Sequence, residues 1–198
     1  MFERQTYPNK ELIVVDNSNE PLDAPPWVKV VRSLGCHCGQ GCNVGMEHTQ
    51  AEYFHKWDDD DWYGPDFLEA LIPPLISNLP VVSVVDTHLV FLVKRWEIRR
   101  TQGGIMPGGT ICWNRKAWEQ RPWDHIRGYW GEDTTFIAHR PGLVKVPQPP
   151  WHFCLVRHGE NSWNEWDPGL PVDDKFAKDS LFAGGPEALF GAEDLAFY

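Results

Sequence analysis

The segment Glu52–Leu71, EYFHKWDDDDWYGPDFLEAL, reads as a strand that ends in four consecutive aspartates and turns into a helix. Residues 52–57 carry the aromatic side chains that suit a pleated strand. Pro65 and Asp66 then open a helix, because proline is tolerated in the first turn and an acid there favours the helix dipole. Phe67, Leu68, Leu71 and Leu75 give that helix a buried face up to the double proline Pro73-Pro74. A strand that delivers polar side chains at its carboxyl end before a helix belongs to an α/β domain, and open α/β sheets bind ligands at that edge. Four adjacent carboxylates, Asp58 to Asp61, repel one another unless a cation or water takes up the charge. Hard oxygen donors of this kind suit magnesium, manganese or calcium better than zinc or copper, which points to metal-dependent handling of phosphates. An EF-hand reading fails, since the run lacks that loop's spaced ligands, central glycine and terminal glutamate.

Strand and helix signals alternate on both sides of this segment. Leu12–Val15 is a short apolar run ending in Asp16-Asn17-Ser18-Asn19, the pattern of a buried parallel strand running into a polar turn. Val28–Val31 is a second strand, and a glycine-rich loop over Gly35–Gly41 leads into a helix over Asn43–Gln50. Downstream, strands are expected over 81–85, 87–94, 110–113 and 153–156, with helices over 115–119 and 132–139, the latter with two acids in its first turn. Residues 1–165 thus form one domain. Residues 166–198, acidic and rich in Gly, Pro and Ala, are expected to be a loosely packed or disordered tail.

At 198 residues the chain is long enough for a core without disulfides or structural metal. The formal net charge of −10 argues against an extended nucleic-acid or anionic-lipid surface, which would need clustered Lys and Arg. No signal-peptide pattern opens the chain, and the most apolar stretch, 70–93, is broken by prolines and polar residues, so a soluble, cytoplasmic protein without a transmembrane segment is expected. Cys36, Cys38 and Cys42 lie close together, but Cys112 and Cys154 are isolated and supply no second ligand pair for zinc; the segment reads as a glycine-rich loop with reduced thiols.

QTYPNKELIVVDNSNEP, then NVG, EYFHKWDDDDWYGPDFLEAL, GGTICWNRKAW and GED, in this order over roughly residues 5 to 140, resemble the family 2 glycosyltransferases. The resemblance implies a GT-A fold: a mixed, mostly parallel central sheet flanked by helices, with a Rossmann-like nucleotide-sugar-binding half and an acceptor half. It also implies an inverting transfer of sugar from a nucleotide-diphosphate sugar to an acceptor hydroxyl, dependent on a divalent cation, manganese or magnesium. Asp58 and Asp60 match the Asp-x-Asp positions that hold this cation at the donor diphosphate, where Lewis-acid catalysis is useful. Asp59 and Asp61 are neighbours that contact ribose or stabilise the loop.

By the same resemblance, Asp16 matches the aspartate that reads the nucleotide base, and Asn43 the asparagine at a helix start near the donor, although Cys42 stands where the family usually has arginine. Asp133 corresponds to the carboxylate that accepts the proton of the attacking hydroxyl, with Glu132 positioning the acceptor; the first turn of a helix favours its ionised form. His158 matches a late histidine on the metal or phosphate, with Arg157 beside it for the diphosphate. Trp113 and Trp130 belong to a tryptophan cluster on the acceptor side, where flat rings suit sugar faces. Family members normally begin with a strand and helix before QTYPN, so a strand-helix unit of ~30 residues is expected to be missing. That leaves an upstream start, completion of the sheet by a partner chain or second copy, or a noncatalytic domain binding sugar or a partner protein.

Overall fold

Residues 1–101, 106–124, 131–138, 140, 142–147, 152–158 and 179–198 are described in the computed structural model. Strand β1 (Ile13–Asp16) pairs in parallel with β2 (Lys29–Arg32), setting Asp16 opposite Arg32. Helix α1 (Cys38–Glu47) follows, starting well before the expected Asn43. His37 caps it, and its backbone N–H donates to Gln40 Oε1 at 3.2 Å. The glycines serve close packing within this helix. A Cβ on Gly41 or Gly45 would meet Val15 at 3.9 or 3.6 Å, and one on Gly39 would meet the Asp124 carbonyl at 3.0 Å.

The chain continues through β3 (Tyr53–His55), the aspartates, β4 (Trp62–Tyr63), α2 (Phe67–Leu71) and a 3-10 turn at Pro73–Leu75. Next come β5 (Val82–Val85), β6 (Leu89–Leu92) and β7 (Glu97–Arg100). They are followed by β8 (Cys112–Asn114), α3 (Arg115–Gln120), α4 (Gly131–Ile137), β9 (Leu143–Val146) and β10 (Phe153–Arg157). The α/β class is as expected, but the strands divide into β1-β2, a four-stranded sheet β3-β8-β5-β9, and a five-stranded sheet whose last member is β11 (Ser180–Leu181), in the order β11-β7-β6-β10-β4. Of the described pairings, β1/β2, β5/β9 and β6/β10 are parallel, while β3/β8, β5/β8, β6/β7, β4/β10 and β7/β11 are antiparallel. This is less parallel than the expected sheet. One cause is the tight β6–β7 hairpin, where Trp96 takes the left-handed conformation at φ 53° and turns the chain back on itself. Strand β7, EIRR, carries a single buried residue, Ile98, so no apolar alternation marks it in the sequence.

The division of the sheets positions the aspartates. β3 lies in the four-stranded sheet and β4 in the five-stranded one, so Asp58–Asp61 form the crossing between them. Each of the two larger sheets packs its own apolar cluster. Met46, Val82, Val84, Ile111, Trp113, Trp123 and Phe136 form one, with Trp123 stacked on Phe136 at 3.9 Å and 4°. A second joins Trp62, Leu89, Phe91, Ile98, Val156 and Phe190. A third, with Tyr63, Phe67, Leu71, Leu75 and Phe153, fills the space around α2.

The loose tail expected beyond residue 166 does not describe residues 179–198. They form β11, α5 (Gly185–Leu189) and α6 (Ala192–Leu195), and Phe190 is buried in the second cluster. Asp194 is the physical tie, accepting from Trp62 Nε1 at 2.8 Å and from Arg4 at 2.7 Å. Among the described residues, no helix is long and apolar enough to cross a membrane.

Candidate active site

Lys56, at the end of β3, faces two carboxylates that are far apart in sequence. Its ammonium lies 3.1 Å from Asp58 Oδ1 and 3.2 Å from Asp133 Oδ1. Burial opposes its charge, but Asp133 and Asp58 outweigh that and hold the lysine pKa well above its ordinary value. The pKa values of the two carboxyls are raised as well, but for a different reason. Burial raises both, against the pull of Lys56, and brings Asp133 to about 6. The helix start therefore does not decide the protonation of Asp133, as sequence reasoning expected; desolvation does, although the group is still mainly ionised at neutral pH.

Two glycines make room for this arrangement. A Cβ on Gly108 would stand 1.9 Å from Asp133 Oδ2, and one on Gly109 would stand 3.0 Å from Asp58 Oδ2, 2.9 Å from Asp61 Oδ2 and 2.7 Å from the Tyr63 hydroxyl. The Gly109 carbonyl accepts from Tyr63 Oη at 3.1 Å and pairs with His55 Nε2 at 2.7 Å, while Tyr63 Oη accepts from the Asp58 backbone N–H at 3.0 Å. Burial lowers the His55 pKa to about 3, so its ring is neutral and Nε2–H is the donor. Tyr63 also stacks on Trp57 at 4.0 Å. The backbone entering and leaving the aspartate run is thus tied to Gly109.

The four aspartates have different environments. Asp58 is held by Lys56, and Asp59 is exposed. Asp60 Oδ2 lies 3.2 Å from His158 Nε2, just beyond the end of β10. Asp61 is buried, and its Oδ1 accepts from the Val156 backbone N–H at 2.9 Å; burial and then Asp58 hold its pKa well above the ordinary carboxylate range. It anchors the loop to β10. Arg157 is 3% exposed, inside that strand, so its guanidinium is not on the surface where a free diphosphate would meet it.

The donor chemistry at this loop suits a hard divalent cation. Asp58 and Asp60 offer carboxylate oxygens, His158 can offer a neutral imidazole nitrogen, and the ammonium against Asp58 marks where the loop already accommodates positive charge. Among the described residues, no three His, Cys, Asp or Glu side chains form a ready-made cage, as Asp58 turns to Lys56 and Asp60 to His158.

Three other sequence expectations change on inspection of the packing. Asp16 uses both carboxylate oxygens within the chain: Oδ1 accepts from Ser18 N at 3.0 Å and Ser18 Oγ at 2.5 Å, and Oδ2 from Leu22 N at 3.0 Å and the Arg32 guanidinium. These bonds, the Ser18 hydroxyl first, hold its pKa far below the ordinary range. A carboxylate has about four acceptor positions, so Asp16 is saturated and organises the 17–22 turn. Asn43 is similarly occupied: Nδ2 donates to the Trp123 carbonyl at 2.9 Å, and Oδ1 accepts from Trp118 Nε1 at 2.8 Å and Trp123 N at 3.0 Å. It fastens α1 to the segment after α3.

Trp113 is 2% exposed, with Phe54 stacked at 5.9 Å and Trp123 and Phe136 edge-on at 5.3 Å, so its ring is core rather than a platform for sugar. Trp130 lies outside the described residues. Glu132 is partly exposed on the first turn of α4, next to Asp133. Sequence reasoning missed Lys56 and the Gly108-Gly109 pair. A lysine two residues before an aspartate run and a glycine pair before a strand were visible, but no local signal places them together.

A protein-family model described as Glycosyl transferase family 2 matches residues 2–143. No curated protein matches the chain. The matched span includes the aspartate run and Glu132-Asp133, and stops before Arg157 and His158.

Proposed function

The chain belongs to glycosyl transferase family 2, and on that premise we propose that it moves a sugar from a nucleotide-diphosphate sugar to an acceptor hydroxyl, with inversion and with the help of manganese or magnesium. One observation carries this reading: Asp58 and Asp133, 75 positions apart in the sequence, are held on either side of one ammonium, with Gly108 and Gly109 opening the space around them. A donor-holding carboxylate and a proton-accepting carboxylate have to be neighbours for direct displacement at an anomeric carbon.

In this mechanism Asp58, Asp60 and His158 would hold the cation. When bound, the cation supplies Lewis acidity, countering the charge that develops on the leaving diphosphate. Asp59, exposed on the same loop, contacts the donor, and Asp61 keeps the loop against β10. Asp133 takes the proton of the acceptor hydroxyl, with Lys56 holding its carboxylate in place, and Glu132 orients the acceptor. Arg157 contributes positive potential from within β10. Asp16 and Asn43 shape the donor side through the 17–22 turn and α1, and Asp16 would have to release an internal bond to touch a nucleotide. The acceptor is a hydroxyl compound of the glycan, lipid or protein class, and the setting is cytoplasmic.

Thermal unfolding with UDP- and GDP-sugars, with and without manganese, tests the reading. A donor present at 100 times its Kd should stabilise the fold by about 2.7 kcal/mol when manganese is present, and the same donor should hydrolyse slowly. A second reading, a noncatalytic domain that binds sugar or a partner protein, draws on the saturation of Asp16, on the internal bonds of Asn43 and on Cys42 at the family's arginine position. Absence of manganese-dependent nucleotide binding, with an unchanged profile for Asp60→Asn, favours it.

The glycine pair gives a sharper check. Gly108→Ala places a methyl group against Asp133 Oδ2 and should displace that carboxylate, removing most transfer while donor binding persists. Transfer at the parent rate by folded Gly108→Ala would show that Asp133 works from elsewhere.

A further inference from the structure

The aspartate run leaves through β4, which has two residues and pairs with β10 at two positions, Tyr63 with Phe153 and Trp62 with Cys154. So short a ladder leaves the placing of the run to side chains. Tyr63 Oη reaches the Gly109 carbonyl, and Asp61 Oδ1 takes the Val156 N–H at 2.9 Å. Trp62, directly after Asp61 and two positions after Asp60, supplies a further anchor. Its indole N–H can only donate, and at 6% exposure it needs an acceptor inside the protein. That acceptor is Asp194 Oδ2, at 2.8 Å.

Asp194 lies on α6, beyond the residues 2–143 that match the family. Arg4 Nη2 fixes its carboxylate, donating to Oδ1 at 2.7 Å and to Oδ2 at 2.8 Å. On either side of α6, Phe190 meets the Trp62 ring edge-on at 5.6 Å, and Tyr198 meets Phe91 edge-on at 5.8 Å. The Tyr198 hydroxyl is buried and has no hydrogen-bond partner among the described residues. Burial first, then Cys154, Asp61, Asp194 and Asp60, push its pKa up. Burying an unpaired hydroxyl is unfavourable, so a segment serving only as apolar cover would carry phenylalanine there. Residues 190–198 instead turn polar groups toward the aspartate run.

We propose that residues 190–198 clamp the cation-holding loop, with Asp194 as a positioning residue whose bond to Trp62 keeps Asp60 in place to ligate the divalent cation. The proposal rests on the reading of Asp58, Asp60 and His158 as the ligands. Adjacent carboxylates repel one another and drive an unrestrained loop apart. Lys56 opposes this at the entry of the run, through Asp58, and the Trp62–Asp194 bond opposes it at the exit. Ligands already held at their spacing need less ordering when the cation arrives, so partners that orient ligands raise metal affinity. The coupling is reciprocal: if a docked α6 favours the cation, the cation favours a docked α6 by the same factor.

The test titrates the whole chain with manganese alone and follows free manganese by electron paramagnetic resonance. Asp194→Leu should bind the ion about tenfold more weakly than the parent. Asp194→Asn loses the charge but keeps an oxygen for the indole N–H, and Arg4→Met loses only the ion pair; both should bind as the parent does. The unmutated chain gives a second measurement that does not require Asp194→Leu to fold. Saturating manganese should slow amide exchange at Leu195 and Ala196, which donate to Gly191 and Ala192, by the same factor of about ten. Parent-like affinity in folded Asp194→Leu, or unchanged exchange in α6 with manganese bound, would overturn the clamp and leave the cation site standing. Equal weakening in Asp194→Asn or Arg4→Met would also overturn it, tracing the effect to charge or to general stability. No manganese binding by the parent would sink the cation site and the clamp with it. Both effects without any sugar transfer would sink the transferase reading alone.

Discussion

Asp133→Asn should bind donor and manganese as the parent does while transferring sugar about 10²–10⁴-fold more slowly, the usual contribution of a positioned general base. The amide keeps an oxygen acceptor for Lys56, so the surrounding contacts persist and the loss falls on kcat. Asp60→Ala should do the reverse, removing manganese-dependent donor binding in a thermal-shift or calorimetric titration. The pH dependence follows from burial at Asp133. A base must be deprotonated, and its pKa is raised to about 6, so kcat/KM should climb tenfold per pH unit below that value and level off above it. Asp133→Asn should lose this limb. Equal loss of donor binding in Asp133→Asn and Asp60→Ala would show that Asp133 belongs to the donor site and is not the base.

Lys56→Met should destabilise the fold by roughly 2–3 kcal/mol at pH 8. Removing one partner of a fully buried ion pair costs more, but the carboxylates of Asp58 and Asp133 are 30% and 28% exposed, and water screens part of the repulsion left behind. At this chain length the change lowers Tm by roughly 5–10 °C. Its sign with pH is a separate check. Without the ammonium, both carboxyls have folded-state pKa values raised further above their unfolded ones, so the folded state favours their protonated forms. Stability is then fully present below the unfolded pKa and is lost as pH rises through the folded pKa, making Lys56→Met less destabilising at pH 5 than at pH 8. A pH-independent deficit would assign Lys56 a packing role through its aliphatic stem.

The parts of this architecture that were legible in the sequence are those carried by short-range signals. The apolar run before Asp16, the aromatic strand before the aspartates, Pro65-Asp66 and the paired acids at 132–133 each mark an element boundary, and β1, β3, α2 and α4 follow from them. Strands β4 and β7 leave no mark in the sequence because two residues, or four mostly polar ones, carry no period. The glycine spacing of α1 reads in sequence as a loop, since glycine permits both a turn and close helix packing and only the neighbour distinguishes them. Residues 179–198 have the composition of a tail, yet Asp194, Phe190 and Tyr198 find partners contributed by Arg4, Trp62 and Phe91.

By itself, the amino-acid sequence determined the α/β class, the family, and the two segments in which acidic chemistry is concentrated, because residue type and local spacing are sufficient for those. Tertiary structure decided which of the polar groups remain available. It saturated Asp16 and engaged Asn43 with internal bonds, buried Trp113, tied Asp61 to β10, and brought Lys56 and the Gly108-Gly109 pair to Asp58 and Asp133. The physical reason is that hydrogen-bond capacity and desolvation are set by neighbours in space, and here most of those neighbours lie tens of residues away along the chain.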